Sequence, residues 1–148
     1  MLTFTEWTAV NKQYYHGSKQ SFPIGFVLSP RKGGYVSQEW RIEKVIEKFR
    51  PINKLKRANS VFLVDDPKLI EKAGGYDDYV YQVEPQLPVE ASDMYWYSQL
   101  SIYQYDITEN EKKLWATNYW NGVPAPEGKY SLMEYRSSSA KILTLLSK

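Results

Sequence analysis

The chain has 148 residues, 43% of them hydrophobic and 16% aromatic, which suits one domain with a single sizeable core. A formal charge of +2 removes the electrostatic case for a nucleic-acid binder. The absence of Cys excludes disulfides, thiolate zinc sites and a Cys nucleophile and fits a reducing cytoplasm; residues 1–7 lack the pattern of a secretory signal, and no apolar run approaches a membrane span.

Residues 13–16 predict a strand and residues 25–28 a short second one. Between them Phe22, Pro23, Ile24 and Gly25 predict a turn that lays Ile24 and Val27 on the core. Residues 38–50 predict a helix, because Ile42, Val45, Ile46 and Phe49 recur at helical spacing and form one apolar face. Ser37 is its expected N-cap, Pro51 its stop, and Glu43, Lys44, Glu47 and Lys48 its solvated face. Residues 60–64 predict a buried strand. Asp66 and Pro67 then open a short helix as N-cap and first residue, and Gly74 closes it.

Residues 79–83 alternate β-branched and aromatic side chains and predict a strand. Ser92 is the expected cap of a helix running to about Tyr105. Thr108 and Glu111 have the spacing of a capping box, and Gly122 and Pro124 end the helix that follows. Residues 130–136 and 141–145 predict the last strands. Short strands interleaved with helices, without regular βαβ spacing, predict an α+β fold. Gly33-Gly34 and Gly74-Gly75 lack the spacing of a phosphate-binding glycine loop.

The only histidine, His16, sits in an aromatic strand beside Gly17 and Ser18. An imidazole, a bare backbone and a hydroxyl at a strand edge suit a ribose and a carboxamide. Further blocks follow in order: Ile24 to Pro30, then Asn59 to Leu63 with Asp66, Pro67 and Ala73. Next come Val80 to Pro85 with Pro88, Val89, Glu90 and Asp93, and last Tyr135, Arg136 and Ser137 with Lys141, Ile142 and Leu143.

In this order the blocks resemble the rifampin ADP-ribosyltransferases, small members of the ADP-ribosyltransferase superfamily. The resemblance covers residues 14–30, 59–93 and 134–143. It implies a single split-sheet α+β domain with two to four flanking helices, in which residues 92–122 are a helical insertion. It also implies that NAD is the substrate and that no metal takes part. Under it, His16 holds a ribose, Gly17 presents its backbone to the nicotinamide carboxamide, and Ser18 adds a ribose contact. Phe62 stacks on nicotinamide where the family has a tyrosine. Tyr76 or Tyr81 supplies the other face of the sandwich, although the alternation around Tyr81 also fits packing. Arg57 and Lys56 are donors for the pyrophosphate.

Three carboxylates compete for the catalytic role: Asp93, Glu134 and Glu90. An unshifted alignment puts Ser92 under the family's acid, and a shift of one residue puts Asp93 there. Other branches of the superfamily carry a catalytic Glu on a late strand, which points to Glu134. The acceptor implied is a macromolecule, a protein before a small molecule, because residues 94–105 replace the border of the family's antibiotic pocket with an aromatic helical run. Rival readings are a non-catalytic partner-binding protein and an NAD glycohydrolase that uses water as a toxin would. Transfer to nucleic acid needs a local patch from Lys44, Lys48, Lys54, Lys56 and Arg57.

Overall fold

The computed structural model describes residues 1, 3, 12–31, 39–73 and 75–147. Among them the strands are β1 (Tyr14–Ser18), β2 (Val27–Leu28), β3 (Val61–Leu63), β4 (Tyr79–Pro85), β5 (Glu90–Asp93), β6 (Met133–Ser137) and β7 (Ala140–Ser147). The α-helices are α1 (Trp40–Lys48), α2 (Met94–Tyr103) and α3 (Glu109–Trp120). The architecture is α+β with two antiparallel sheets, ordered β1-β4-β7-β2 and β3-β6-β5. No helix of the described residues is long and apolar enough to cross a membrane.

The two sheets share a core. Tyr14 of β1, Tyr81 and Val83 of β4 and Ile142 of β7 meet Val61 and Leu63 of β3 and Tyr135 of β6. Because strand residues alternate between faces, Phe62, Glu134, Arg136, Ser92 and Glu90 turn to the opposite side of the second sheet, where register aligns Phe62 with Arg136 and Ser92 with Glu134. The helices cover that side. Ile42 and Ile46 of α1 pack without exposure against Trp96, Leu100, Ala116 and Trp120, and each such isoleucine contributes about 1.5–3 kcal/mol by leaving water. Trp120 donates its indole N–H to the Ile46 carbonyl at 2.7 Å, tying α3 to α1.

The edges of the two sheets touch through one bridge. Tyr15 donates to the Val64 carbonyl at 2.8 Å, and Val64 donates back at 3.0 Å. On one side of this bridge the joint is closed by a polar tie. Lys12 donates to the Tyr135 hydroxyl at 2.8 Å, and that hydroxyl donates to Asp65 at 3.0 Å. On the other side β1 and β3 part.

Several expected details are corrected. Ile24 and Val27 are exposed at 73% and 55%; the core at this turn is filled by Leu28 and, in part, Phe22. Glu43 leaves the solvated face of α1 because its carboxylate turns inward to Arg57. Ser92 lies in β5, and Asp93 caps α2 by accepting from the Tyr95 N–H at 2.9 Å. That helix ends at Tyr103, two residues before the expected Tyr105. Asp66 caps a 3-10 turn, Pro67–Leu69, as the sequence predicts. The expected caps Ser37 and Gly74 lie outside the described residues.

The capping box of α3 forms as predicted. The Thr108 hydroxyl accepts from the Glu111 N–H at 3.1 Å, and the Glu111 carboxylate accepts from the Thr108 N–H at 3.3 Å. At the other end Gly122 takes a positive φ of 66°, and a side chain there would meet the Ala91 carbonyl at 2.9 Å. Replacing the cap hydroxyl, Thr108→Ala, is expected to lower the unfolding free energy by about 1 kcal/mol. The check is a urea titration, in which the midpoint falls while the slope stays constant.

Candidate active site

Where β1 and β3 part, they open a cleft of about 780 Å³. That volume lies within the range of roughly 300–1,000 Å³ common for small-molecule sites. One wall is β1 and its continuation from Tyr15 to Gln20; the other is the segment from Ser60 to Val64. Tyr76 and Glu134 also line it, as do Leu28 of β2 and Ser29 and Arg31 just after it. His16, Gly17, Ser18 and Phe62, placed together by the sequence reading, all line this one cleft.

The parting of the strands follows from hydrogen-bond bookkeeping. In an antiparallel ladder, alternate residues bond to alternate neighbours. Tyr15 spends its N–H and C=O on Val64, so the residue two further on, Gly17, turns its N–H and C=O to the same side, into the gap. A continued ladder would place Phe62 opposite Gly17. Instead the Phe62 carbonyl accepts from His16 Nδ1 at 2.8 Å. The imidazole thus takes the place of a ladder bond and holds the two sheets at cleft distance.

A carbonyl can only accept, so Nδ1 carries a hydrogen, and in the neutral ring Nε2 is left as an acceptor. Burial of the ring lowers the His16 pKa below its ordinary 6.5, against the opposing effect of the Phe62 bond. His16 is therefore neutral at pH 7.

Gly17 is a glycine for a reason the sequence does not carry. A Cβ built on it runs into the Tyr76 carbonyl oxygen and Ile70 Cγ2. The backbone around Tyr76 sits on the bare strand and closes one end of the cleft. The Ser18 hydroxyl accepts from the Gln20 N–H at 2.9 Å and shapes the turn out of β1.

The three candidate carboxylates separate clearly. Asp93 is fully buried and does not line the cleft. Its oxygens accept from the backbone N–H groups of Tyr95, Ala125 and Leu132 and from the Ser131 hydroxyl. It is an anchor for the chain on either side of α2 and α3. Glu90 also stands apart from the cleft; it accepts from the Leu55 N–H at 2.7 Å and lies 3.6 Å from Arg136. Glu134 alone of the three lines the cleft, 3% exposed, in β6.

Arg57 is not at a phosphate-facing rim. It is 4% exposed and lies behind the cleft wall. Its Nε donates to both Glu43 oxygens at 3.0 Å, and its Nη1 donates to Glu134 at 2.8 Å and to the Tyr119 hydroxyl. Its guanidinium carbon stands 4.7 Å from the centre of the Phe62 ring. Lys56 is exposed and lies outside the lining. Tyr81 is buried in the shared core, where its hydroxyl accepts from the Phe22 N–H at 2.8 Å, and so it is a packing residue. Tyr76 also lines the cleft, as do Phe62, Tyr15 and Phe22, and Lys19 Nζ stands 4.3 Å from the Tyr76 ring centre.

Sequence reasoning missed Lys19 and Arg31 as the cations of the cleft. Lys19 is the last residue of the block that begins at Tyr15, where it received no role, and Arg31 directly follows Pro30. Compared with known protein families and with curated proteins, the chain matches none.

Two expectations follow from this geometry. Gly17→Ala forces the Tyr76 backbone off the strand, so the variant should lose about 1–3 kcal/mol of stability, the usual cost of overpacking. A wild-type urea midpoint would contradict it. The second concerns pH. The unfolded chain protonates His16 near pH 6.5 and the native chain only at lower pH. Between those values the unfolded state binds more protons, so stability falls as pH drops below 6.5. The difference in unfolding free energy between wild type and His16→Gln, followed from pH 8 to about 5, should shrink as the solution becomes acidic.

Proposed function

We propose that this chain is an NAD-consuming ADP-ribosyltransferase. The observation that carries the reading is the opened edge between β1 and β3. There the Gly17 backbone groups, the His16 ring, the Phe62 face and the Glu134 carboxylate converge on one cleft. A paired N–H and C=O on Gly17 match the donor and acceptor of a carboxamide. Phe62 and Tyr76 offer aromatic faces to a nicotinamide ring. His16 Nε2 accepts from a ribose hydroxyl, and Lys19 and Arg31 supply charge for a pyrophosphate.

The chemistry follows from that seat. The bond between ribose C1′ and the nicotinamide nitrogen breaks, and its electron pair leaves with nicotinamide. Positive charge builds on the ribose, where a fixed carboxylate, Glu134, stabilises it more than it stabilises the ground state. The acceptor nucleophile then bonds to C1′ and releases its proton to solvent. The acceptor is a macromolecule, a protein before a small molecule. In support, α2 buries Trp96, Tyr97 and Leu100 in the helical core, and no residue from 94 to 105 walls a small pocket beside Glu134.

A second reading has its own observation: Glu134 is already held in an ion pair by Arg57. A carboxylate kept for structure would make the chain an inactive, partner-binding relative of a transferase. Incubation with NAD separates the two. The transferase releases nicotinamide and leaves ADP-ribose on an acceptor in a cell lysate. ADP-ribose found free would make it a glycohydrolase, and no nicotinamide would leave the binder. Glu134→Gln should lower the rate by at least about 100-fold, as loss of one stabilising group typically does. Lys19→Ala with Arg31→Ala should weaken NAD binding by roughly tenfold, about 1.4 kcal/mol, and leave the rate at saturation unchanged.

A further inference from the structure

We infer that Arg57 is the positioning residue of this cleft, a buried guanidinium that fixes where Glu134 and Phe62 stand, and that Glu43 of α1 fixes Arg57 in turn. The inference rests on the NAD reading above and names the device that aligns its site. Arg57 starts a 3-10 turn, Arg57–Asn59, directly before β3, and its side chain is 5% exposed. The Glu43 carboxylate, 18% exposed, takes both of its oxygens to Arg57 Nε at 3.0 Å. That grip sets the plane of the guanidinium. Nη1 then meets Glu134 Oε1 at 2.8 Å, which leaves Oε2 for a ribose hydroxyl.

The same guanidinium lies over the Phe62 ring, 4.7 Å from its centre. One rigid group therefore sets both the charge and the stacking face of the site. Only a planar fork can do this; an ammonium is a point charge without a fixed plane. Arg57 does not itself line the cleft, so it acts through Glu134 and Phe62. Neutralising a buried acid would require no second carboxylate from α1.

The test is nicotinamide release by the full chain at varied NAD. Arg57→Lys keeps the charge and loses the fork. Its kcat should fall by roughly 100-fold, the effect of about 1 Å of misplacement, with KM for NAD within about threefold of wild type. Glu43→Gln should lower kcat by roughly tenfold with KM again unmoved. In Arg57→Ala, added guanidinium should restore release and methylammonium should not; if that variant does not fold, the other two decide. A kcat near wild type in Arg57→Lys overturns the inference. So does a rise in KM at constant kcat, which would make Arg57 a binding group. In both cases the active wild type leaves the NAD reading standing. A wild type that releases no nicotinamide overturns that reading and this inference together.

Discussion

The structure turns on two hydrogen bonds between Tyr15 and Val64, and on the fact that the ladder stops after them. Were β1 and β3 paired along their length, the molecule would have one continuous sheet and no cleft. The bridge keeps the sheets joined, and the Lys12–Tyr135–Asp65 tie closes one side of it. On the other side a side chain replaces the backbone: His16 Nδ1 takes the Phe62 carbonyl. An imidazole is longer than a peptide N–H, so the strands stand apart while the carbonyl remains paired. The cleft is thus the direct consequence of exchanging one kind of donor for another.

Behind the cleft lies a buried polar layer, an expensive feature for a small domain. Arg57 and Arg136 are both nearly inaccessible, and Glu43, Glu134 and Glu90 stand around them. Arg136 donates to Ser92 at 2.5 Å and lies 5.0 Å from the Trp120 ring centre, yet among the described residues its Nε and Nη2 have no hydrogen-bond partner. Buried ion pairs seldom add net stability over an apolar replacement. A layer of this kind, directly beneath Phe62 and Glu134, is better explained by what it holds in place. The helices α1 and α3 bring Glu43 and Tyr119 to it, which gives the helical layer a part in the cleft as well as in the core.

Local signals were the legible ones. The capping box at Thr108 and Glu111, the Asp66-Pro67 turn and the inward stripe of α1 appear where periodicity and cap chemistry put them. The gathering of His16, Gly17, Ser18 and Phe62 was legible too, because all four lie on the two strand edges that part. What escaped was set by long-range packing. Ile24 and Val27 look like core residues, but Leu28 fills the space. Arg57 looks like a loop cation, and only the arrival of Glu43 and Glu134 shows why it is buried. Asp93 is a candidate acid in the sequence, while its four donors come from Tyr95, Ala125, Ser131 and Leu132, segments that no local pattern brings together.

Because the chain has a single histidine, the central claim can be read from one ring. The most direct measurement is the pair of imidazole ¹⁵N chemical shifts of His16 at neutral pH, with and without NAD. A neutral ring protonated at Nδ1, with an Nε2 signal that moves when NAD is added, is the result required by an imidazole that spans the strand gap and faces a dinucleotide. A ring protonated at Nε2, or signals indifferent to saturating NAD, would contradict it.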